Sequence, residues 1–525
     1  MGARRLALNT AIVGGAFVLS RLLGLVREVV IAGQFGTSAQ YDAYVAAFGV
    51  PDTLFLLIIG GAVGSAFIPV FTSLMREGDE QGAWRLASTL INASVLLLGA
   101  GGLLLGVLAP QLVGAVILPG RPPDQQALAV ELTRILLLSP LFLGLGGWAM
   151  GILNARQHFV MPALAPVVYN LAIIGGALVL APVWGVHGLA WGVVAGALAH
   201  FGVQVPALWR VGMRYWLRLD LRDRGVGQVA GLILPRIVGQ AAFQTNIIAM
   251  RSIGSFLPRG SISALNYAYL LMMLPHGVFA MSLATVTFPT MAAQYADGDL
   301  DALRGTLARA IKVLLFLTIP SAVGLLILRY EIVGTVFEVG RFTSTSTGLV
   351  APALGYFALG LVAYAVVEVL TRAFYALHDT FTPVSVSVGT IFVNLGLSFT
   401  LVFGLGWNHE ALALSLAATT TLEMVLMWVL LGRKLPGWRL TAGGMARSLV
   451  KSALASLAMA VGLTLLLLVW RTVSPDYQTH RLELAAATLT AIALGAGIYL
   501  AVARALRSEE LSAAIALVGR RLTAR

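Results

Sequence analysis

From residue 9 to residue 506 the chain is a near-continuous succession of apolar runs, most of them long enough to cross a lipid bilayer. A helix needs about 20 apolar residues to span the hydrocarbon core. In lipid, backbone polar groups must be satisfied within a helix or a closed barrel. The runs lack the two-residue alternation of barrel strands, so helices are the remaining solution. They fall near 9–33, 43–74, 86–118, 127–153, 160–181, 186–209, 227–253 and 261–292. They continue near 306–338, 347–377, 382–404, 409–432, 447–470 and 482–506. The sequence thus predicts an all-α polytopic membrane protein with 14 transmembrane helices. Only 11% of residues are charged, against about 25% in a soluble domain.

Those few charges sort by loop. One set of loops holds Arg76, Arg85, Arg156, the series Arg210, Arg214, Arg218, Arg222 and Arg224, then Arg304, Arg372, Arg433, Lys434, Arg439 and Arg447. The alternate loops "GQFGTSAQ" and "APVWGVHG" carry no basic residue, and "LPGRPPDQQ" carries one. The positive-inside rule then places both termini in the cytoplasm. Topology also accounts for the net charge of +12, so no nucleic-acid partner is implied. "MGARRLALNT" reads as the cytoplasmic start of the first helix rather than a removable signal. The absence of cysteine excludes disulfides and thiolate metal sites. No P-loop, HExxH or nucleophile elbow is present, and the seven histidines lack ligand spacing. The chain therefore reads as a transporter without cofactor or metal rather than an enzyme. Its energy would come from an ion gradient, the membrane potential or substrate concentration.

An internal repeat sets the domain plan. "FIPVFTSLMREGD" and "FPTMAAQYADGD" share Pro69/Pro289, Gly78/Gly298 and Asp79/Asp299 at an offset of 220. "NARQHFVMP" and "YALHDTFTP" share Ala155/Ala376 and Pro162/Pro383 at 221. Six helices separate the copies, so the halves have the same orientation, a pattern typical of two-lobed transporters. The expected plan is an N-lobe over 1–209, a basic cytoplasmic linker over 210–225 and a C-lobe over 226–432. Two further helices and a tail occupy 433–525.

Ionisable groups inside a bilayer are expensive and tend to face a cavity or a partner. The first segment holds Arg21, Arg27 and Glu28, and Asp42 opens the second. On an ideal helix Arg21 and Glu28 lie about 20° apart, while Arg27 points about 120° from Arg21. Either Arg27 snorkels to an interface, or the arginines form a cationic cavity for an anionic group. Arginine suits the second reading because its guanidinium stays charged and grips phosphate oxygens bidentately. Glu28 and Asp42 would hold the arginines in position or merely neutralise them. Arg236 and Arg251 of the seventh segment are further candidates, Arg236 close to the cytoplasmic end. Glu423 in the twelfth segment stands alone.

The stretches "SRLLGLVREVVIAGQFG", "AFIPVF", "MGILNARQHFVMPALAPVVYN", "EVGRFTSTST" and "VLTRAFYALHDTFTPV" resemble the MurJ/MviN lipid II flippases. So does the long run from "LPRIVGQAAFQTN" to "QYADGDLDALR". These flippases belong to the multidrug/oligosaccharidyl-lipid/polysaccharide exporter superfamily. The resemblance implies two six-helix lobes around a cationic cavity, plus two C-terminal helices lining a groove for a lipid tail. It implies a bacterial cell-membrane location, membrane lipid as surroundings and, as cargo, a polyprenyl-pyrophosphate-linked saccharide, lipid II. Its head group would cross to the outer leaflet by alternating access, with cell-wall synthesis proteins as partners. Arg21, Arg27, Glu28 and Asp42 match the family's charged positions. The chain departs from the pattern at "PDTLFLLIIGG", with Phe55 and Gly60 in place of a usual arginine and glutamate. It departs again at "YAYLLMMLP", where Leu270 replaces another arginine. Arg251 or Arg236 would restore the missing charge. Where the family's sodium-site carboxylates stand, Asn394 fits and Ser398 does not. A flippase for another polyprenyl-linked glycan, or a non-transporting scaffold for cell-wall synthesis, would tolerate these losses.

Overall fold

The computed structural model describes residues 3–60, 63–478 and 480–512. Twelve described helices are long and apolar enough to cross a membrane. They are α2 (Ala39–Ile58), α3 (Glu80–Val107), α4 (Pro123–Ala155), α5 (Val160–Trp184), α6 (Val186–Arg210), α8 (Ser261–Ala296), α9 (Leu300–Ile327), α10 (Ser344–Ala376), α11 (Phe381–Gly404), α12 (Glu410–Lys434), α13 (Gly444–Val473) and α14 (Arg481–Ala505). Two more helices have spanning length without being among the twelve, α1 (Ala3–Phe35) and α7 (Arg224–Ser255). Of the 14 crossings expected from the sequence, twelve are supported by length and composition among the described residues, and α1 and α7 have the length alone.

Several apolar segments are not continuous helices, among them the following two. The segment near 43–74 stops at Ile58, resumes as a π-helical turn at Val63–Phe67 and continues as helix Ile68–Arg76. The segment near 86–118 stops at Val107 and ends in the π-helical turn Val113–Ile117. Pro69 and Pro110 sit in the first turn of the short helices there. Proline lacks the N–H that a continuous helix would use, so the chain re-registers at these points.

The repeated motifs adopt repeated turns. Gly78 and Gly298 take φ of +83° and +75°, a left-handed conformation that only glycine adopts freely. Asp79 and Asp299 follow as N-caps, accepting from Gly82 N at 2.7 Å and Ala302 N at 2.9 Å. In the second repeat Gln157 and His378 occupy matching positions with φ of 59° and 58°.

By contact the chain divides into two compact units. The first is Met1–Ser263 with Val339–Phe342, and includes α7. Its core gathers Phe67, Phe71, Trp84, Trp148 and Ile152. The buried indole of Trp148 donates to Ser94 Oγ at 3.0 Å. The segment Val339–Phe342 lies against α1, where Arg341 N donates to Gly33 O at 2.8 Å. The second unit is Ala264–Glu338 with Thr343–Arg525. Leu303, Leu307 and Ile311 of α9 pack there with Val369 and Phe374 of α10 and Met427 of α12. α13 and α14 pack on α9 through Met459, Leu463 and Tyr499, whose hydroxyl donates to Phe316 O at 2.6 Å.

In the first unit α5 and α6 meet along small residues. Gly188, Gly192 and Gly196 recur every fourth residue of α6, the spacing that lets helices in lipid approach closely. A Cβ added at Gly176 would lie 2.5 Å from the Gly192 Cα. Gly176→Ala is expected to force the helices apart and cost about 1–3 kcal/mol, read as a lowered Tm of the purified protein in detergent.

Candidate substrate-binding site

A charged cluster inside the first unit draws on α1, α2, α5 and α7. Arg27 of α1 folds its side chain back onto its neighbour. Its Nη2 donates to Glu28 Oε1 at 2.6 Å and its Nε reaches the same oxygen at 3.1 Å. Nη1 donates to Asn170 Oδ1 of α5 at 3.1 Å. Asn170 is itself fixed, donating to Pro166 O at 3.0 Å and Ser20 O at 3.3 Å. The other oxygen of Glu28 accepts from the Tyr41 hydroxyl of α2 at 3.3 Å. Glu28 is buried, whereas the Arg27 side chain keeps 25% of its exposure. A guanidinium has five N–H donors, and three are engaged here. Two remain for a ligand.

The cluster extends along α2 to α7. Tyr44 and Tyr169 lie within electrostatic reach of Arg27, and Tyr169 is also within electrostatic reach of Asp52. Asp52 accepts from Gln244 Nε2 at 3.5 Å and is the electrostatic partner of Arg251. The Arg251 guanidinium lies against Gly49, where an added Cβ would stand 2.2 Å from Nη1. Glycine at that position makes room for the arginine. Among the described residues Arg251 makes no hydrogen bond. The structure thus brings Arg27, Glu28 and Arg251 into one polar neighbourhood, with Asp52, Asn170, Tyr169 and Gln244 as members that sequence reasoning did not single out.

The remaining residues are placed differently. Arg21 is exposed on α1, its guanidinium carbon 5.3 Å from the centre of the Phe17 ring. It shares a face with Glu28, yet Glu28 pairs with Arg27. Two turns, about 10 Å of helix rise, separate Arg21 from Glu28, while the adjacent arginine needs only to bend. The side chain of Arg236 lies outside the described residues.

Asp42 does not join the α1 arginines. It is fully buried and paired with Arg121 of the loop before α4, Nη2 to Oδ2 at 3.1 Å. It also accepts from Gly260 N at 2.7 Å, Ser263 N at 2.8 Å and Ser263 Oγ at 2.7 Å, capping the first turn of α8. Arg121 donates in addition to Leu257 O at 2.8 Å and Pro258 O at 3.2 Å. This is a closed ion pair that ties two loops to the start of α2.

In the second unit Asn394 sits in a neutral network. Ser415 Oγ donates to its Oδ1 at 2.7 Å, and Ser398 Oγ meets Ser415 Oγ at 2.9 Å.

A family profile described as lipid II flippase MurJ matches residues 31–487. The lipid II flippase MurJ of Burkholderia cenocepacia is 31% identical over 442 residues, covering 81% of this chain and 84% of that protein. A probable lipid II flippase MurJ of Rhizobium meliloti is 31% identical over 429 residues, covering 80% and 78%. A solved structure of lipid II flippase MurJ in an inward closed conformation superposes with a TM-score of 0.78 at 27% identity, covering 94% of this chain and 98% of that one. An inward-facing transporter of the multidrug MATE family shares the fold, with a TM-score of 0.68 at 15% identity, over 81% of this chain and 96% of that one. The profile spans most of the chain, the relatives match over four-fifths of it, and the fold agrees: the chain belongs to the lipid II flippase MurJ family.

Proposed function

We propose that this chain, a multi-pass protein of the bacterial inner membrane, moves lipid II from the cytoplasmic to the outer leaflet by alternating access. The observation that carries the reading is the Arg27 guanidinium, held by Glu28 and Asn170 with two donors uncommitted. A diphosphate is the part of the cargo that such donors bind, through charge-assisted and bidentate hydrogen bonds. Arg251 supplies the second cation, standing beside Asp52 without a hydrogen bond among the described residues. Glu28 and Asp52 orient the two guanidiniums, and Arg21 adds positive charge farther along α1. Asp42 serves the site indirectly, by fixing the start of α2. The cargo crosses without a bond being made or broken, so no catalytic group is required. Both termini lie in the cytoplasm, as the basic loops imply. The lobes follow the repeat, 1–209 and 226–432 with the linker 210–225. The polyprenyl tail stays in lipid along α13 and α14, and cell-wall synthesis proteins receive the cargo outside.

Depletion of the protein from its host should accumulate lipid II in the inner leaflet. Unchanged outward flow of labelled lipid II in depleted cells, with other flippases deleted, would contradict the proposal. Within the site, Arg251→Ala should weaken binding of polyprenyl diphosphate to the purified protein by about 10- to 100-fold, the range for a hydrogen bond to a charged group. Gly49→Ala should reproduce that loss, because its Cβ takes the space of the guanidinium. Wild-type affinity in Gly49→Ala would show that Arg251 is not held where the cargo needs it.

A further inference from the structure

The cluster on α1, α2, α5 and α7 leaves several carboxylates of the apolar segments unused, Glu423 among them. Glu423 stands near the middle of α12 (Glu410–Lys434), about 20 Å of helix rise from its start and about 16 Å from its end. It shares a face with Thr419, Thr420 and Met427, all buried, while Leu422, Val425 and Val429 point outward and are exposed. A carboxylate at that depth normally has a cation beside it or is not charged. Among the described residues no basic nitrogen lies within 4.0 Å of Glu423. Its only hydrogen-bonding neighbour there is Ser387 of α11, whose hydroxyl donates to Oε1.

The elements packed against α12 supply little charge. α11 has no ionisable residue over Phe381–Gly404. α10 presents Tyr364, which lies within electrostatic reach of Glu423 and bonds Thr420. The Glu368 of α10 is already committed to Arg372, at 2.9 Å. α13 carries Lys451 and Arg447, which line a small cavity with Glu509 and Glu510 beyond the end of α14. The contrast between Glu368 and Glu423 is informative. Glu368 is paired with a guanidinium, whereas Glu423 meets a hydroxyl.

A hydroxyl can donate to a carboxylate or accept from a carboxylic acid by rotating. The Ser387 contact therefore serves both protonation states of Glu423 with no change of backbone, as a site that loads and unloads a proton requires. A metal cation is a poor fit. One carboxylate and one hydroxyl are far fewer oxygens than a hard cation takes, and among the described residues no group of three or more His, Cys, Asp or Glu could hold one.

We propose that Glu423 is a proton-binding site that couples inward proton movement to outward movement of the cargo, one proton per crossing. The coupling rests on the flippase reading above, but the proton site does not. Binding converts the carboxylate to a neutral carboxylic acid in the membrane, and release to the cytoplasm restores the charge. With one proton per cargo, each pH unit of gradient (acidic outside) should raise the steady-state outer-to-inner cargo ratio about tenfold.

Infrared difference spectroscopy of the full chain in nanodiscs, titrated with pH, reads the site without any cargo. The expected result is a protonated-carboxyl C=O band that disappears in Glu423→Gln and shifts in Ser387→Ala. The same band should survive in Glu368→Gln. A spectrum unchanged by Glu423→Gln in correctly folded protein would overturn the proposal. In proteoliposomes with fluorescent lipid II, the outer-to-inner ratio should follow the imposed gradient in wild type and ignore it in Glu423→Gln. A Glu423→Gln ratio that tracks the gradient like wild type would overturn the coupling. If wild type moved no lipid II at all, the proposed cargo would fail while the infrared band still decided the proton site.

Discussion

Arg27→Ala is expected to abolish rescue of a flippase-depleted strain. Two effects add at this position. On the proposed reading the cargo loses a guanidinium with two uncommitted donors, and Glu28 loses its partner at 2.6 Å. Glu28 is 6% exposed and would keep only the Tyr41 hydroxyl. Breaking a buried pair by removing one partner costs about 3–5 kcal/mol, so the variant should also be less abundant. The two effects are separable. Arg27→Ala combined with Glu28→Gln removes the uncompensated charge and should recover membrane abundance, but not rescue. Recovery of both would mean that Arg27 serves only to neutralise Glu28, and its role toward the cargo would be lost.

Asp42→Ala should produce the largest loss of stability in the first unit. The carboxylate is wholly buried and accepts from Gly260, Ser263 and Arg121. Its removal leaves two backbone N–H groups without an acceptor and a buried guanidinium without a counter-ion. The second loss alone is worth about 3–5 kcal/mol, a large fraction of the 5–15 kcal/mol typical of a folded domain. The purified variant should unfold many degrees below wild type, followed by tryptophan fluorescence on heating. Asp42→Asn should fall between, because its amide oxygen still accepts from α8 while the ion pair is gone. Arg121→Met in the Asp42→Ala background should recover part of the loss. Wild-type Tm in Asp42→Ala would show that other contacts hold these loops.

Features set by neighbouring residues were legible in the sequence, and those set by distant ones were not. The helices follow from uninterrupted apolar runs. The repeat survives as geometry because Gly78 and Gly298 each supply a left-handed turn just before an aspartate cap. The breaks at Pro69 and Pro110 had a visible signal, although hydropathy alone ran through them. The pairing of Arg27 with Glu28 needed a side-chain bend that an ideal helical wheel does not represent. Asp42 was legible as a buried charge, but its partner lies 79 residues away in a loop where Arg121 reads as one basic residue among prolines. The same holds for Arg251, whose place beside Gly49 and Asp52 depends on how α7 packs on α2. Asn170 and Asp52 were visible as polar residues in apolar helices, a signal that the reading of the sequence did not use.

The central claim is that Arg27 and Arg251 bind the diphosphate of the cargo. It is tested most directly by the affinity of the purified full chain for polyprenyl diphosphate, compared with the same lipid as a monophosphate and as a free alcohol. Wild type should bind the diphosphate most tightly, with the preference lost in the Arg27→Ala, Arg251→Ala double variant. Equal affinity for all three lipids, or a double variant that keeps the wild-type preference, would contradict it.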